Sequence, residues 1–289
     1  GKALVTGDFN ADSKVDLAVG AYNYSSGTGR TYIFYNDGSI PTTAATADVI
    51  MIGETTGNYF GFAFTISDFD RDGETDLVVG AYGNSTNTGK VYFYEGQRSF
   101  SWQLQRQALS ASRIYPNVLG EEITVTGGAY GYFGYKMAAG DLNADGATDI
   151  VISAPYENTT TGRVYIFYSD GSYGSSVPNA DVAITGQATG DYFGYNVATG
   201  DLNADGKTDL IVGTQLYATN TGRVYIFYND GSYPGSATNA DVFITGEATS
   251  GFSSALTTGD FNADGKVDLA VGAYLWTTST GRSYVFYND

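Results

Sequence analysis

Cysteine is absent from all 289 residues, so neither a disulfide framework nor a thiolate metal site can form. Histidine is absent too, which removes the commonest general base and the usual zinc ligand together. Basic residues are few. Only 14 Lys and Arg stand against 31 Asp and Glu, and a formal charge of −17 leaves no footprint for nucleic acid. No apolar run reaches the roughly 18 residues that a membrane-spanning helix needs. Gly1 opens almost directly onto the strand-like ALVTGD, so a signal peptide, if there is one, is removed or lies upstream. Neither a G-x-S-x-G nucleophile elbow nor a glycine-rich phosphate loop occurs. The acids outside repeated positions, such as Glu95, Glu121, Glu122 and Glu157, show no pairing signature for glycoside hydrolysis. The chain reads as non-enzymatic.

What the chain does have is one motif, five times. Residues 201 to 209 read DLNADGKTD, in which Asp201, Asn203, Asp205 and Asp209 bring three carboxylates and a carboxamide into nine residues. The same pattern places Asp8, Asn10, Asp12 and Asp16 in DFNADSKVD, and Asp68, Asp70, Asp72 and Asp76 in DFDRDGETD. It recurs with Asp141, Asn143, Asp145 and Asp149 in DLNADGATD, and with Asp260, Asn262, Asp264 and Asp268 in DFNADGKVD. Successive copies begin 60, 73, 60 and 59 residues apart, the mark of a repeat architecture.

Like charges crowded into a turn repel, so the spacing points to a cation among them. Carboxylate and amide oxygens are hard ligands, and a flexible loop of six or more suits calcium better than magnesium, which demands strict octahedral geometry. An EF-hand begins alike but needs Glu at its twelfth position, where the loop starting at Asp201 has Val212. The five loops hold 16 carboxylates at ligand positions, and five divalent ions would bring −17 to −7. Glycine at the sixth position permits a positive φ, whereas the first loop has Ser13 there and should be the weakest site.

The intervening sequence is strand-like. In the fourth copy FGYNVATGD (193 to 201) alternates, DLIVGT (209 to 214) is a short apolar run, and GRVYIFY (222 to 228) is dense in β-branched and aromatic residues. An Asp-Gly turn leads to a fourth strand in ADVFITGE, 240 to 247. Both alternating sets of VYIFY are apolar, so both faces of the sheet should be covered. The 39 Gly fit many tight turns, and no segment carries a convincing helical period. The expectation is an all-β fold, a β-propeller of four-stranded antiparallel blades, with a β-sandwich as the alternative. Repeats fall at about 1–53, 54–127, 128–186, 187–246 and 247–289 of one domain, with an insertion at 96–120 in the second. The last repeat stops at SYVFYND, before a fourth strand.

These residues resemble the FG-GAP repeats of integrin α-subunit propellers and of bacterial and archaeal surface proteins. Phe60-Gly61, Phe133-Gly134 and Phe193-Gly194 supply the FG element; Gly20-Ala21-Tyr22, Gly80-Ala81-Tyr82, Ser153-Ala154-Pro155 and Gly272-Ala273-Tyr274 match GAP. The fourth copy departs with GTQ, and the fifth has Phe252-Ser253 in place of FG. Integrin propellers have seven blades, whereas five repeats are visible here. The resemblance implies about five Ca²⁺ sites. Each would be completed by the carbonyl of the seventh loop residue (Lys14, Glu74, Ala147, Lys207 or Lys266) and by a bidentate final Asp.

It also implies a binding or adhesion module, secreted or at the cell surface, with the loops between second and third strands on the rim opposite the calcium loops. Tyr22, Tyr82, Tyr156, Tyr217 and Tyr274 fall in those loops, with Trp276 nearby, and Tyr59, Tyr132 and Tyr192 precede the FG elements. That rim could receive a protein partner's Lys or Arg through cation–π contacts. Alternatively it could stack on sugars as a lectin, or the tyrosines could simply pack blade on blade. A further alternative is a structural propeller of a larger surface assembly, filament or enzyme, with self-assembly through the incomplete blade. Asn23, Asn84 and Asn158 open sequons (NYS, NST and NTT) suited to glycans, although Asn, Ser and Thr are ordinary loop residues.

Overall fold

A computed structural model describes residues 1–39, 41–83, 87–96, 123–169 and 177–288. Its sheets are antiparallel meanders, and the first four have four strands each. Blade 1 comprises β1 (Leu4–Gly7), β2 (Asp16–Gly20), β3 (Arg30–Phe34) and β4 (Val49–Ile52). Blade 2 has β5 (Ala63–Ser67), β6 (Asp76–Ala81), β7 (Lys90–Tyr94) and β8 (Ile123–Thr126). Blade 3 has β9 (Met137–Gly140), β10 (Asp149–Ala154), β11 (Arg163–Phe167) and β12 (Val182–Thr185). Blade 4 has β13 (Asn196–Gly200), β14 (Asp209–Thr214), β15 (Arg223–Phe227) and β16 (Val242–Thr245). Blade 5 has three: β17 (Phe252–Gly259), β18 (Asp268–Ala273) and β19 (Arg282–Phe286). The fold is propeller-like and all-β, and the insertion expected at 96–120 lies, apart from Gly96, outside the described residues.

The doubly apolar strands are explained by where their two faces go. From β15, Val224 and Ile226 join Phe252, Leu269 and Val271 of the next blade. Tyr225 and Phe227 instead join Val151, Val164 and Ile166 of the preceding one. The same division places Phe60 between blades 1 and 2, and Phe133 between blades 2 and 3. Each FG phenylalanine is thus the wedge of one interface, edge-on to two aromatic rings of its own third strand (Tyr225 and Phe227 for Phe193). Burying one such ring stabilises by about 1.5–3 kcal/mol.

Backbone hydrogen bonds lock the wedge in place. The N–H groups of Tyr132 and Phe133 donate to the carbonyls of Asn87 and Thr88, at 3.0 and 3.3 Å. Tyr192 and Phe193 donate to Thr160 and Thr161 (3.0 and 3.1 Å), and Gly251 and Phe252 to Asn220 and Thr221 (2.7 and 3.2 Å). Tyr59 and Phe60 do the same to Gly27 and Thr28. The glycine after each acceptor threonine has positive φ, and a Cβ on Gly29, Gly89, Gly162 or Gly222 would overlap the incoming Phe backbone. Only glycine fits this clasp.

A pair of substitutions separates the close approach from the conformation. Gly222→Ala should lose both and cost about 2–5 kcal/mol, whereas Gly281→Ala, with φ +73° but no other blade against it among the described residues, should cost about 1–2 kcal/mol. Thermal melts of the two variants check this, and equal losses would contradict the clasp.

Candidate functional site

Each acidic loop joins the first strand of a blade to its second, and its side chains fold back on its own backbone. In the fourth loop Asp201 accepts from the N–H of Asp205 (3.1 Å) and of Gly206 (2.9 Å). Asn203 Oδ1 accepts from Asp205 N–H at 3.0 Å, and Asp205 Oδ1 from Lys207 N–H at 2.9 Å. Asp8, Asp141 and Asp260 repeat the arrangement with their own loops. The sixth residue takes φ between 84° and 89° where it is glycine, and Ser13 adopts 64° in the first loop despite its side chain.

The fourth loop residue is left-handed too, at Ala11, Arg71, Ala144, Ala204 and Ala263. No glycine marks that position, so residue type carries no signal of it. The successive N–H groups that such a turn aims inward hold like charges together.

The ninth residue is different from the others. Asp16, Asp76, Asp149, Asp209 and Asp268 are buried, at 0–3% exposure. Asp209 accepts from Leu202 N–H (2.8 Å) and, with its other oxygen, from Asn229 N–H (2.9 Å). The equivalent pairs are Phe9 and Asn36, Phe69 and Gly96, Leu142 and Ser169, and Phe261 and Asn288. This aspartate therefore ties the acidic loop to the turn after the third strand. Burial pushes the carboxyls of Asp16, Asp149 and Asp209 up, against the pull of those N–H donors.

The second loop is the most strongly charged. Oxygens of Asp68, Asp70 and Asp76 converge to within 4.8 Å of one another. Asp68 Oδ1 is buried and receives no donor. Burial, with the neighbouring Asp70 and Asp72 charges, pushes Asp76 up to about 6; burial also raises Asp70. A buried carboxylate oxygen without a donor, among others held close, fits a hard cation. In the fourth loop Lys207 Nζ turns away to the carbonyl of Asn229, 3.1 Å distant, whereas in the first Lys14 Nζ pairs with Asp12 Oδ2 at 3.4 Å. Arg71 reaches from this loop to Asp145 (3.3 Å) and the Ser169 carbonyl (3.1 Å) of blade 3.

On the opposite rim, Tyr22, Tyr82 and Tyr156 come together. Ring centroids run from Tyr22 to Tyr59 (6.1 Å), Tyr82 (4.8 Å further), Tyr132 (5.2 Å), Tyr156 (4.3 Å) and Tyr192 (5.0 Å). Phe62 and Tyr135 pack beneath, and Lys2 Nζ lies 3.8 Å from the Phe62 centroid. Lys136 is also here, its pKa lowered by burial.

Tyr217 and Trp276 do not join this chain of rings. Tyr217 lies under Arg223 at 3.8 Å and Trp276 under Arg282 at 3.5 Å, as Tyr24 lies under Arg30 at 3.6 Å. The reason is register. Tyr217 and Trp276 stand two residues beyond the GAP tyrosine position, which Gln215 and Tyr274 occupy in those blades. Glu157 holds the same place in blade 3 and pairs with Arg163 (3.1 Å) and the Tyr165 hydroxyl (2.6 Å). An aromatic or acid six residues before the third-strand arginine was the readable signal for these platforms. Tyr274 is 51% exposed, and its hydroxyl accepts from Gln215 at 3.0 Å. Asn23 and Asn158 are exposed in these loops, and Asn84 lies outside the described residues.

Comparison with known proteins gives a consistent picture. The FG-GAP repeat profile matches residues 1–34, 60–94, 133–167, 193–227 and 252–286. Integrin alpha-PS3 of Drosophila melanogaster is 31% identical over 251 residues, 76% of this chain and 22% of that protein. Phosphatidylinositol-glycan-specific phospholipase D of Bos taurus is 31% identical, covering 78% of this chain and 28% of its own length. Integrin alpha-11 of Homo sapiens is 33% identical over 64% of this chain and 15% of its own. The chain thus spans less than a third of the length of these relatives.

Two substitutions in one loop should behave differently. Asp209→Ala removes two buried N–H acceptors and should destabilise by about 2–4 kcal/mol even in EDTA, with a further loss in calcium. Asp205→Ala, at the exposed fifth position of the loop, should lower stability in calcium and change little in EDTA. Urea titrations in both buffers check this, and identical behaviour of the two variants would contradict it.

Proposed function

The chain belongs to the FG-GAP repeat family, and from that premise we propose that it is a calcium-stabilised adhesion-type propeller module acting outside the cell or at its surface. The observation that carries the reading is the convergence of oxygens at Asp68, Asp70 and Asp76, one of them buried without a donor. The same loop geometry recurs in the other four blades. Side chains at the first, third, fifth and ninth positions would hold Ca²⁺, with the carbonyls of Lys14, Glu74, Ala147, Lys207 and Lys266. The ion would supply the positive charge that the loop backbone alone does not. Like the integrin relatives, the chain is read as binding and not catalytic, and the phospholipase D relative places such repeats beside an enzyme as well.

The rim of tyrosines is proposed as the face that receives a partner protein. Cationic side chains already lie on aromatic rings there, Lys2 on Phe62 and Arg282 on Trp276. A partner's Lys or Arg would use the same cation–π attraction, worth about 0.5–2 kcal/mol each. The exposed ring of Tyr274 is an accessible contact. Asn23 and Asn158 are proposed glycan acceptors at the edge of this face.

Calcium should decide thermal stability. At calcium about tenfold above Kd each site adds roughly 1.4 kcal/mol, so EDTA should lower the melting temperature by on the order of 10 °C and calcium should restore it. An unchanged melt would remove the metal reading. For the rim, Tyr274→Ala and Tyr156→Ala should weaken binding to a protein partner about tenfold with the calcium dependence of melting kept. Selective binding on a glycan array, lost in the same variants, would instead favour a lectin.

A further inference from the structure

Blade 4 breaks the repeat at two positions that the fold brings together. The third strand opens on a cation in blades 2 to 5, and in blades 2, 3 and 5 a carboxylate neutralises it. Lys90 pairs with Glu54, Arg163 with Glu157 at 3.1 Å, and Arg282 with Glu247 at 2.8 Å. Glu54 and Glu247 stand two residues beyond the fourth strand of the preceding blade. Where that position is Gly128, Glu157 fills the space instead, since a Cβ on Gly128 would meet its Oε1 at 3.3 Å. Before blade 4 the position is Gln187, and Arg223 makes no ion pair among the described residues. Asp191, buried at 7% exposure, attracts Arg223 but makes no hydrogen bond to it.

Arg223 is nevertheless held in place. Its Nε donates to Thr245 Oγ1 (2.9 Å) and its Nη1 to Gln187 Oε1 (3.3 Å), with the guanidinium over the Tyr217 ring. Gln187 Oε1 also accepts from the Tyr225 hydroxyl at 3.1 Å. That leaves Arg223 Nη2 and the Gln187 amide nitrogen as donors with no acceptor among the described residues.

The second break is Phe243. Opposite the third-strand tyrosine, blades 1 to 3 carry Ile50, Thr124 and Ala183, whereas blade 4 carries this aromatic ring, 43% exposed. Val242 and Ile244 pack toward blade 5, so Phe243 stands on the side of blade 3. Its ring centroid is 5.4 Å from that of Tyr225 and 5.5 Å from the guanidinium carbon of Arg223. Blades 3 and 4 both have four strands, so the patch lies inside the array and not at its end. Packing requires neither departure, because the same junction is made elsewhere with a carboxylate and without an exposed ring.

We propose that this patch binds an acidic sugar, a pyranose ring that carries a carboxylate. The carboxylate would accept from Arg223 and from the Gln187 amide, and the C–H face of the ring would lie on Phe243. Such a sugar offers an anion, hydroxyls and an apolar face together, matching the guanidinium, the amide and the exposed phenyl ring. An Asp or Glu side chain matches only the first. The site lies apart from the acidic loops and outside the chain of tyrosine rings, and it rests on neither the calcium reading nor the partner-protein reading.

Isothermal titration calorimetry of the whole chain in calcium, with tri-galacturonate as the probe, tests this. Saturable binding is expected, weaker by about tenfold or more for the methyl ester of the same trisaccharide. Gln187→Glu restores the carboxylate that the other blades have; it should keep the melting temperature and weaken binding by about tenfold or more. Arg223→Gln and, at its exposed position, Phe243→Ala should weaken binding as well. Equal binding of the ester, undiminished binding by Gln187→Glu, or no binding up to about 10 mM would overturn the proposal. So would a hexaglutamate peptide bound as tightly as the sugar, which would make an acidic protein segment the ligand.

Discussion

Five times the chain forces three or more acidic side chains and their neighbours into a turn of nine residues, and every other feature of that rim answers to this constraint. Left-handed residues at the fourth and sixth positions aim N–H groups inward, so the first and fifth side chains cannot splay apart. The ninth aspartate is buried and fastened from two directions. Donors offset part of the repulsion, but burial still raises the carboxyls of Asp16, Asp76, Asp149 and Asp209, and Asp68 keeps an oxygen with no donor at all. An oxygen cage built this way is short of positive charge. The proposed calcium supplies it, and by bridging side chains from both ends of the loop it would also pin the first strand of each blade to the second.

The opposite rim is governed by close approach of backbones. A left-handed glycine in one blade and a phenylalanine wedge from the next make one unit, used four times. Tyr59, Tyr132 and Tyr192, before three of the four wedges, sit at the turn and pass ring contacts from blade to blade. The proposed metal sites and the proposed partner face are thereby separated. One rim fixes each sheet internally, and the other joins sheets and presents aromatic surface.

Much of this was legible in the sequence. The spacing of the acidic loops located the blades, and the two-sided apolar pattern of VYIFY predicted sheets covered on both faces, as Val224 to Phe227 are. The positive φ at Gly73, Gly146, Gly206 and Gly265 followed from residue type. What stayed hidden depended on backbone shape or on register. Ala204 and Arg71 adopt left-handed conformations that their side chains do not advertise. Counting tyrosines by loop placed Tyr156 and Tyr217 beside Tyr22, but a one- or two-residue displacement puts Tyr156 in the ring chain and Tyr217 under Arg223. The contact from Asp209 to Asn229, twenty residues on, arises from hairpin geometry and has no local signature.

The central claim is that the five acidic hairpins each hold a hard divalent ion. Native mass spectrometry of the chain, equilibrated with calcium and desalted gently, counts them directly. The account predicts about five calcium ions per folded chain, all released by EDTA, with occupancy failing first at the loop containing Ser13. A folded chain carrying no bound calcium at millimolar free ion would contradict it.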